Sequence, residues 1–255
     1  MGFGSRPVES RTMYEKSKLS VVIPAWNEEK YIGPTLEALF AAGKQLESAG
    51  GAFEVIVVDN ASTDGTVECA KAFRVRIVSE QRHCIAAVRN RGVEAARGEF
   101  LAFVDADSKA SVNSLERMWR TLATSRYVGG GVKILPEKWS LKVLPFYAMG
   151  PVMWIVMRLT AGMIFCTREA FDAVGGFDEG LYAAEDLEFV RAIKAWGRNC
   201  GKKFANLTDV HIKTSTRKFT KASFRDWLIF PKYMLNPASV RRIENCRFWY
   251  AEENR

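Results

Sequence analysis

Short apolar runs alternate with helix-patterned segments through the first 105 residues, and that alternation restricts the fold more than any other feature of the chain. Leu19–Pro24 (LSVVIP), Phe53–Asp59 (FEVIVVD), Val75–Val78 and Phe100–Val104 are the apolar runs. The first, second and fourth are nearly continuous in apolar residues, as expected of strands covered on both faces. Between them, Asn27–Ala42 places Ile32, Leu36, Leu39 and Phe40 at helical spacing. Thr66–Phe73 reads as a second helix and Ile85–Ala96 as a third, stopping before Gly98. Strand and helix in strict alternation predict an α/β fold, a mostly parallel sheet with helices on both faces and right-handed crossovers. Ligands of such sheets collect at the carboxyl ends of the strands.

Polar residues gather at those ends. The first strand runs into Trp26-Asn27-Glu28-Glu29, the second into Asp59-Asn60-Ala61-Ser62-Thr63-Asp64-Gly65, and the fourth into Asp105-Ala106-Asp107-Ser108. Asp59 or Asp64 alone is explained by turn and cap chemistry. Three acidic strand ends on one rim exceed what capping requires. Asp105-x-Asp107 follows a wholly apolar strand, and residues two apart in extended chain point the same way. Two carboxylates facing one volume repel unless a cation lies between them. The hard oxygen donors select Mg²⁺ or Mn²⁺, normally completed by substrate phosphates. No Gly-x-x-x-x-Gly-Lys-Ser/Thr occurs, and no Gly-x-Gly-x-x-Gly follows the first strand, so a P-loop ATPase and a dinucleotide oxidoreductase are both disfavoured.

The chain has 255 residues, 37 Lys+Arg and 29 Asp+Glu. Residues 198–255 hold 13 basic and 5 acidic side chains, so the remaining 24 and 24 cancel and the whole +8 lies in the last quarter. Phe224, Trp227, Phe230, Tyr233, Phe248, Trp249 and Tyr250 are interleaved with it. Basic residues among aromatics suit an anionic surface such as a phospholipid interface, and equally describe a solvated basic face over core aromatics. The five cysteines are scattered, so neither a disulfide framework nor a zinc finger is expected. The most apolar stretch, residues 143–166, contains Arg158 and is broken by Pro145, Gly150, Pro151 and Gly162, so it does not read as a membrane span. The start, MGFGSRPVES, has no secretory-type apolar segment; the expectation is a cytoplasmic chain, peripheral on the inner membrane face if the basic tail binds lipid.

Four segments in order, VVIPAWNEEKYI, EVIVVDNASTDGT, RNRGVEAARGEFLAFVDAD and VGGFDEGLYAAEDLEFVRAIKAWG, resemble family-2 glycosyltransferases of the GT-A fold over residues 18–215. The resemblance implies transfer of a sugar from a UDP- or GDP-linked donor to a hydroxyl acceptor, with inversion. It implies that Pro24, Ala25 and Glu28 line the nucleoside pocket, Glu28 facing ribose, and that Asp59 accepts from the base. Arg89 would approach the diphosphate, Asp105 would sit by the ribose or the metal, and Asp107 would bind the metal. Arg217 and Lys218 would hold the diphosphate. His211 is placed about where similar enzymes have a late metal-binding or diphosphate-binding histidine, and a structural histidine is as consistent. Asp186 would be the general base and Glu185 would orient the acceptor, with exchange of the two roles left open; as bare residues they also read as helix N-terminal acids. Cys84 stands where the family often has glycine. His83 has no evident partner.

The expected organisation is an arm at residues 1–17, a GT-A domain over 18–215 and a basic aromatic extension over 216–255. Within the domain, 18–110 would bind the nucleotide sugar and 111–215 the acceptor. Gly129–Gly131 and the Trp- and Met-rich LPFYAMGPVMWIVM lie in the acceptor half. A greasy, adaptable groove of this kind favours a lipid-linked acceptor at an anionic membrane surface, while core or homodimer contact explains the same residues. The alternative function is a non-catalytic protein of the same fold that uses its tail for nucleic acid or membrane. The acidic rim argues against nucleic acid, because a phosphate-backbone binder does not line its cleft with carboxylates.

Overall fold

Alternate residues of each buried strand enter different cores, which explains why the runs are apolar throughout. In the computed structural model, which describes residues 18–140, 143–144, 163–217, 241 and 246, Lys18–Ala25 forms β1, Ala52–Asp59 β2, Arg76–Ser79 β3 and Phe100–Phe103 β4. Val21, Ile23, Val55, Val57 and Ala102 pack on one side of the sheet, and Val22, Ile56, Val58, Leu101 and Phe103 on the other. Fully burying one such side chain stabilises by about 1.5–3 kcal/mol. These four strands are parallel, in the order β3-β2-β1-β4.

The sheet then reverses. β7 (Ile164–Thr167) runs antiparallel to both β4 and β6 (Tyr127–Pro136), and β8 (Lys203–Thr214) runs parallel to β6. The short β5 (Ser108–Ala110) closes the edge antiparallel to β8, giving the order β3-β2-β1-β4-β7-β6-β8-β5. Two reversals return β6 and β8 to the direction of β1–β4, so the segment after β8 emerges at the same rim as the acidic strand ends. The glycine run of the expected acceptor half lies in central sheet: a Cβ on Gly130 would lie 2.3 Å from the ring of Phe165 and 2.7 Å from the Ala205 carbonyl.

Helices α1 (Glu29–Ser48) and α4 (Ser114–Ala123) cover the first face, beside the short α2 (Thr66–Lys71). The expected end of α1 at Ala42 falls a turn and a half short, because Leu46 continues the buried stripe of Ile32, Leu36 and Leu39. Helices α3 (Ile85–Ala95), α5 (Arg168–Val174) and α6 (Glu185–Asn199) cover the second face. α3 lies so close to the sheet that a Cβ on Gly92 would stand 2.3 Å from Val22 Cγ1 and 2.9 Å from Val58 Cγ2. Phe103, Phe171, Phe177 and Phe189 form one aromatic cluster, with Phe177 and Phe189 stacked at 4.1 Å and Phe103 edge-on to Phe177 at 4.9 Å. This cluster fixes the start of α6 against β4. The arm at 1–17, the apolar stretch at 145–162, Lys218 and all of the extension but Thr216, Arg217, Arg241 and Cys246 lie outside the described residues.

Candidate active site

The loops after β1 and β2 are stitched together by side chains that turn chemistry requires. Asn27 takes a left-handed backbone (φ 54°), which a short polar side chain tolerates. Its N–H donates to Ser62 Oγ at 3.1 Å and its Oδ1 accepts from Thr63 N–H at 2.8 Å. Asp64 accepts from the N–H groups of Glu29 and Thr66 and from the Thr66 hydroxyl. Asp59 Oδ1 accepts from Ser62 N–H at 3.2 Å. Asp64 is therefore occupied by structure, while Asp59 combines a turn contact with a half-buried place on the rim. Ala25 turns its side chain into the core, so its backbone alone meets the rim, where its carbonyl accepts from Asn60 N–H.

A wall stands beside these loops. The ring of His83 lies 4.3 Å from that of Trp26, and His83 Nδ1 is 3.2 Å from Asn60 Oδ1. Asn60 Nδ2 donates to the carbonyls of Glu80 and Arg82, tying the wall to the end of β3. Trp26, Asn60 and His83 were not singled out as site residues from sequence; Trp26 and Asn60 directly follow strands one and two, and that position was the available signal. Cys84 is buried, with Sγ directed at the Glu179 and Leu181 carbonyls, and it fixes the 178–181 loop against α3.

Asp105-Ala106-Asp107 forms a turn, closed by Ser108 N–H to the Asp105 carbonyl, rather than the extended chain from which convergent carboxylates were expected. Thr35 of α1 holds this turn by donating to the Ala106 carbonyl at 2.7 Å. The two carboxylates go separate ways. Asp105, 57% exposed at its side chain, accepts from Arg89 Nη2 at 3.3 Å. Asp107, only 10% exposed, lies 3.4 Å from Arg217 Nη2, and Arg217 also bonds the buried Glu28 and rests 4.2 Å from the Tyr31 ring. Glu28 thus meets a guanidinium at the place assigned to ribose.

Arg89 is buried, over the Phe177 ring at 5.3 Å, and donates to Glu185 Oε1 at 2.6 Å as well as to Asp105. Arg89, expected from the sequence to approach the diphosphate, stands here as a strut between two carboxylates. Burial pushes the Glu185 carboxyl up to about 7, and the neighbouring Asp186 adds to this against the pull of Arg89. Asp186 is also raised, first by burial and further by Asp105, while Arg89 and the Leu187 N–H oppose it. Both acids project from the first turn of α6, which Ala184 enters with φ 58°. A non-glycine residue there costs about 1–2 kcal/mol and marks a place where geometry outranks local comfort.

His211 is not brought to this corner. Asp107 faces Ser215 across the β5–β8 ladder (Ser215 N–H to the Asp107 carbonyl, 3.1 Å), and His211 faces Ser111 four residues farther along. At about 3.4 Å per residue that is roughly 13 Å, too far for a shared metal. Among the described residues no three His, Cys, Asp or Glu side chains are gathered as a ready-made metal cage, and no helix is long and apolar enough to cross a membrane.

The family model for glycosyl transferase family 2 matches residues 20–176. Glycosyltransferase AglE of Haloferax volcanii is 36% identical over 124 residues, covering 45% of this chain and 39% of that protein. The dolichyl-phosphate beta-glucosyltransferase of Mus musculus is 34% identical over 116 residues, covering 42% of this chain and 36% of its own length. The chain thus spans little more than a third of these relatives. The mannosyltransferase PcManGT from Pyrobaculum calidifontis, solved with GDP-Man and Mn²⁺, aligns with a TM-score of 0.66 at 20% identity, over 91% of this chain and 64% of that one. That likeness speaks for the fold, and the family match extends over more than half of the sequence. This chain belongs to glycosyl transferase family 2 and carries the GT-A fold.

Proposed function

We propose that the protein transfers a sugar from a UDP- or GDP-sugar to an acceptor hydroxyl by a single displacement with inversion. The observation that carries this reading is the Arg89 guanidinium, which bonds Asp105 at the strand-end rim and Glu185 at the start of α6. One side chain therefore spans the donor side and the acid pair. Trp26, His83 and Asn60 form a wall for the nucleoside, with Pro24 and Asp59 beside it. Glu28 is within reach of ribose hydroxyls once Arg217 leaves it, and Arg217 and Lys218 are the cations for the diphosphate.

A Mg²⁺ or Mn²⁺ ion completed by substrate phosphates takes one or two carboxylates from protein. Asp107 and the exposed Asp105 fit that donor set, and PcManGT was solved with Mn²⁺. When bound, such an ion would offset the charge that builds on the departing diphosphate. Asp186 takes the acceptor proton as the acceptor oxygen bonds to the anomeric carbon; the bond from that carbon to the diphosphate oxygen breaks, and its electron pair leaves with the nucleotide. Glu185, restrained by Arg89, orients the acceptor. The acceptor is proposed to be lipid-linked and met at a membrane surface, a reading supported by the named substrate of the mouse relative and by exposed Trp139 and Leu144 at the approach to the apolar stretch.

Thermal shift against a panel of nucleotide sugars, with and without Mn²⁺, tests the proposal, since a ligand at a hundred times its Kd stabilises by about 2.7 kcal/mol. One UDP- or GDP-sugar should raise Tm in a Mn²⁺-dependent manner, and Asp107→Ala should remove that dependence. No response to any donor, or the same Mn²⁺-dependent response in the variant, refutes it.

A further inference from the structure

Glu28 and Asp107 arrive from different loops and end in one shielded place, with side chains only 8% and 10% exposed. Two such carboxylates repel strongly when little water is present. What holds them together is Arg217, itself 9% exposed. Its guanidinium bonds Glu28, stands 3.4 Å from Asp107 Oδ2, and lies against the Tyr31 ring. The backbone delivers it there: Ser215 N–H donates to the Asp107 carbonyl, and Arg217 N–H to Ser215 Oγ at 3.3 Å. Asp107, assigned to the divalent ion, therefore already has a cation beside it, a nearly buried one, while the exposed Asp105 has Arg89.

We infer that Arg217 is an exchangeable internal counter-ion, which yields Asp107 to a divalent metal only when a nucleoside diphosphate arrives to receive the guanidinium. A metal ion alone would have to share Asp107 with the positive charge that Glu28 keeps in place. A diphosphate removes that penalty, because a planar fork of N–H donors pairs well with phosphate oxygens. Metal and nucleotide then bind with positive coupling, and by linkage each raises the other's affinity by the same factor. The site rejects free metal and fills when donor is present. This inference rests on the reading that Asp107 binds the ion.

The test is Mn²⁺ binding to the full chain, followed by the electron paramagnetic resonance of free Mn²⁺, alone and with UDP or GDP. Wild type should bind Mn²⁺ weakly alone and at least tenfold more tightly with the diphosphate. Arg217→Gln should bind Mn²⁺ alone at least tenfold more tightly than wild type and lose most of the coupling, and Arg217→Lys, which keeps the charge but not the fork, should lie between. Asp107→Asn should bind poorly throughout. If Arg217→Gln leaves both affinity and coupling unchanged while Asp107→Asn abolishes binding, the counter-ion role is wrong and the metal reading stands. If wild type takes up no Mn²⁺ even with nucleotide, both fall. Circular dichroism checks that each variant is folded, and Arg217→Lys carries the comparison if Arg217→Gln is not.

Discussion

Replacing Arg89 by Met keeps an apolar stem over Phe177 and removes the charge that holds Glu185 and Asp105. Arg89 and Glu185 are 9% and 8% exposed at their side chains, with 2.6 Å between the bonded atoms. Charge centres about 4 Å apart at an effective dielectric near 20 attract by about 4 kcal/mol, in line with the ~3–5 kcal/mol lost when one member of a buried pair is removed. For a domain of this size that corresponds to a fall in Tm of about 6–20 °C. The loss depends on pH with a defined sign. Glu185, raised to about 7 first by burial, binds its proton more tightly folded than unfolded, so this group withdraws stability as pH rises from the ordinary carboxylate range towards 7. Without Arg89 the folded value rises further, and the window of loss extends above 7. Each additional unit adds about 1.4 kcal/mol at alkaline pH and nothing where Glu185 is protonated in both proteins. Urea unfolding of both proteins at about pH 5.5 and about pH 8.5 measures this. A penalty that is equal at the two values, or larger at the acidic one, refutes the pairing of Arg89 with an ionised Glu185.

Two further substitutions separate chemistry from packing. Asp186→Asn should leave nucleotide affinity within a factor of about two while lowering turnover by about 10²–10⁴, the usual worth of a general base; calorimetry and steady-state kinetics decide, and near-normal turnover removes Asp186 from that role. Gly92→Ala forces a methyl into the space of Val22 and Val58. The expected cost is about 1–3 kcal/mol, seen as a lower Tm, and an unchanged or higher Tm shows that α3 can move away from β1 at no cost.

The first half of the sheet was legible because its central strands are buried on both faces. LSVVIP and FEVIVVD can hardly be anything but central strands, and the three acidic ends follow from their order in the sheet. Boundaries moved by a few residues where a stripe continued, as at Leu46. The reversal at β7 was not legible: Ile164–Thr167 is four residues of ordinary apolar sequence, and its direction is set by pairing with β4 rather than by local preference. Within the site, residue types were readable and directions were not. Asp105 and Asp107 part because a turn, anchored by Thr35, stands where extended chain was assumed. Arg89 and Arg217 are committed to carboxylates that lie 96 and 189 residues away along the chain, separations at which no spacing rule operates. His211 failed to join Asp107 for a matter of register that only the β5–β8 ladder defines.

The four phenylalanine rings gathered at the start of α6 have a practical consequence. Phe103 belongs to the strand that leads into Asp105, and Phe189 to the helix that begins at Glu185. Heat tolerance and the placing of the proposed catalytic acids are thus stored in the same hydrocarbon, and a designer who repacks that cluster for a hardier protein shifts those acids whether or not that was intended.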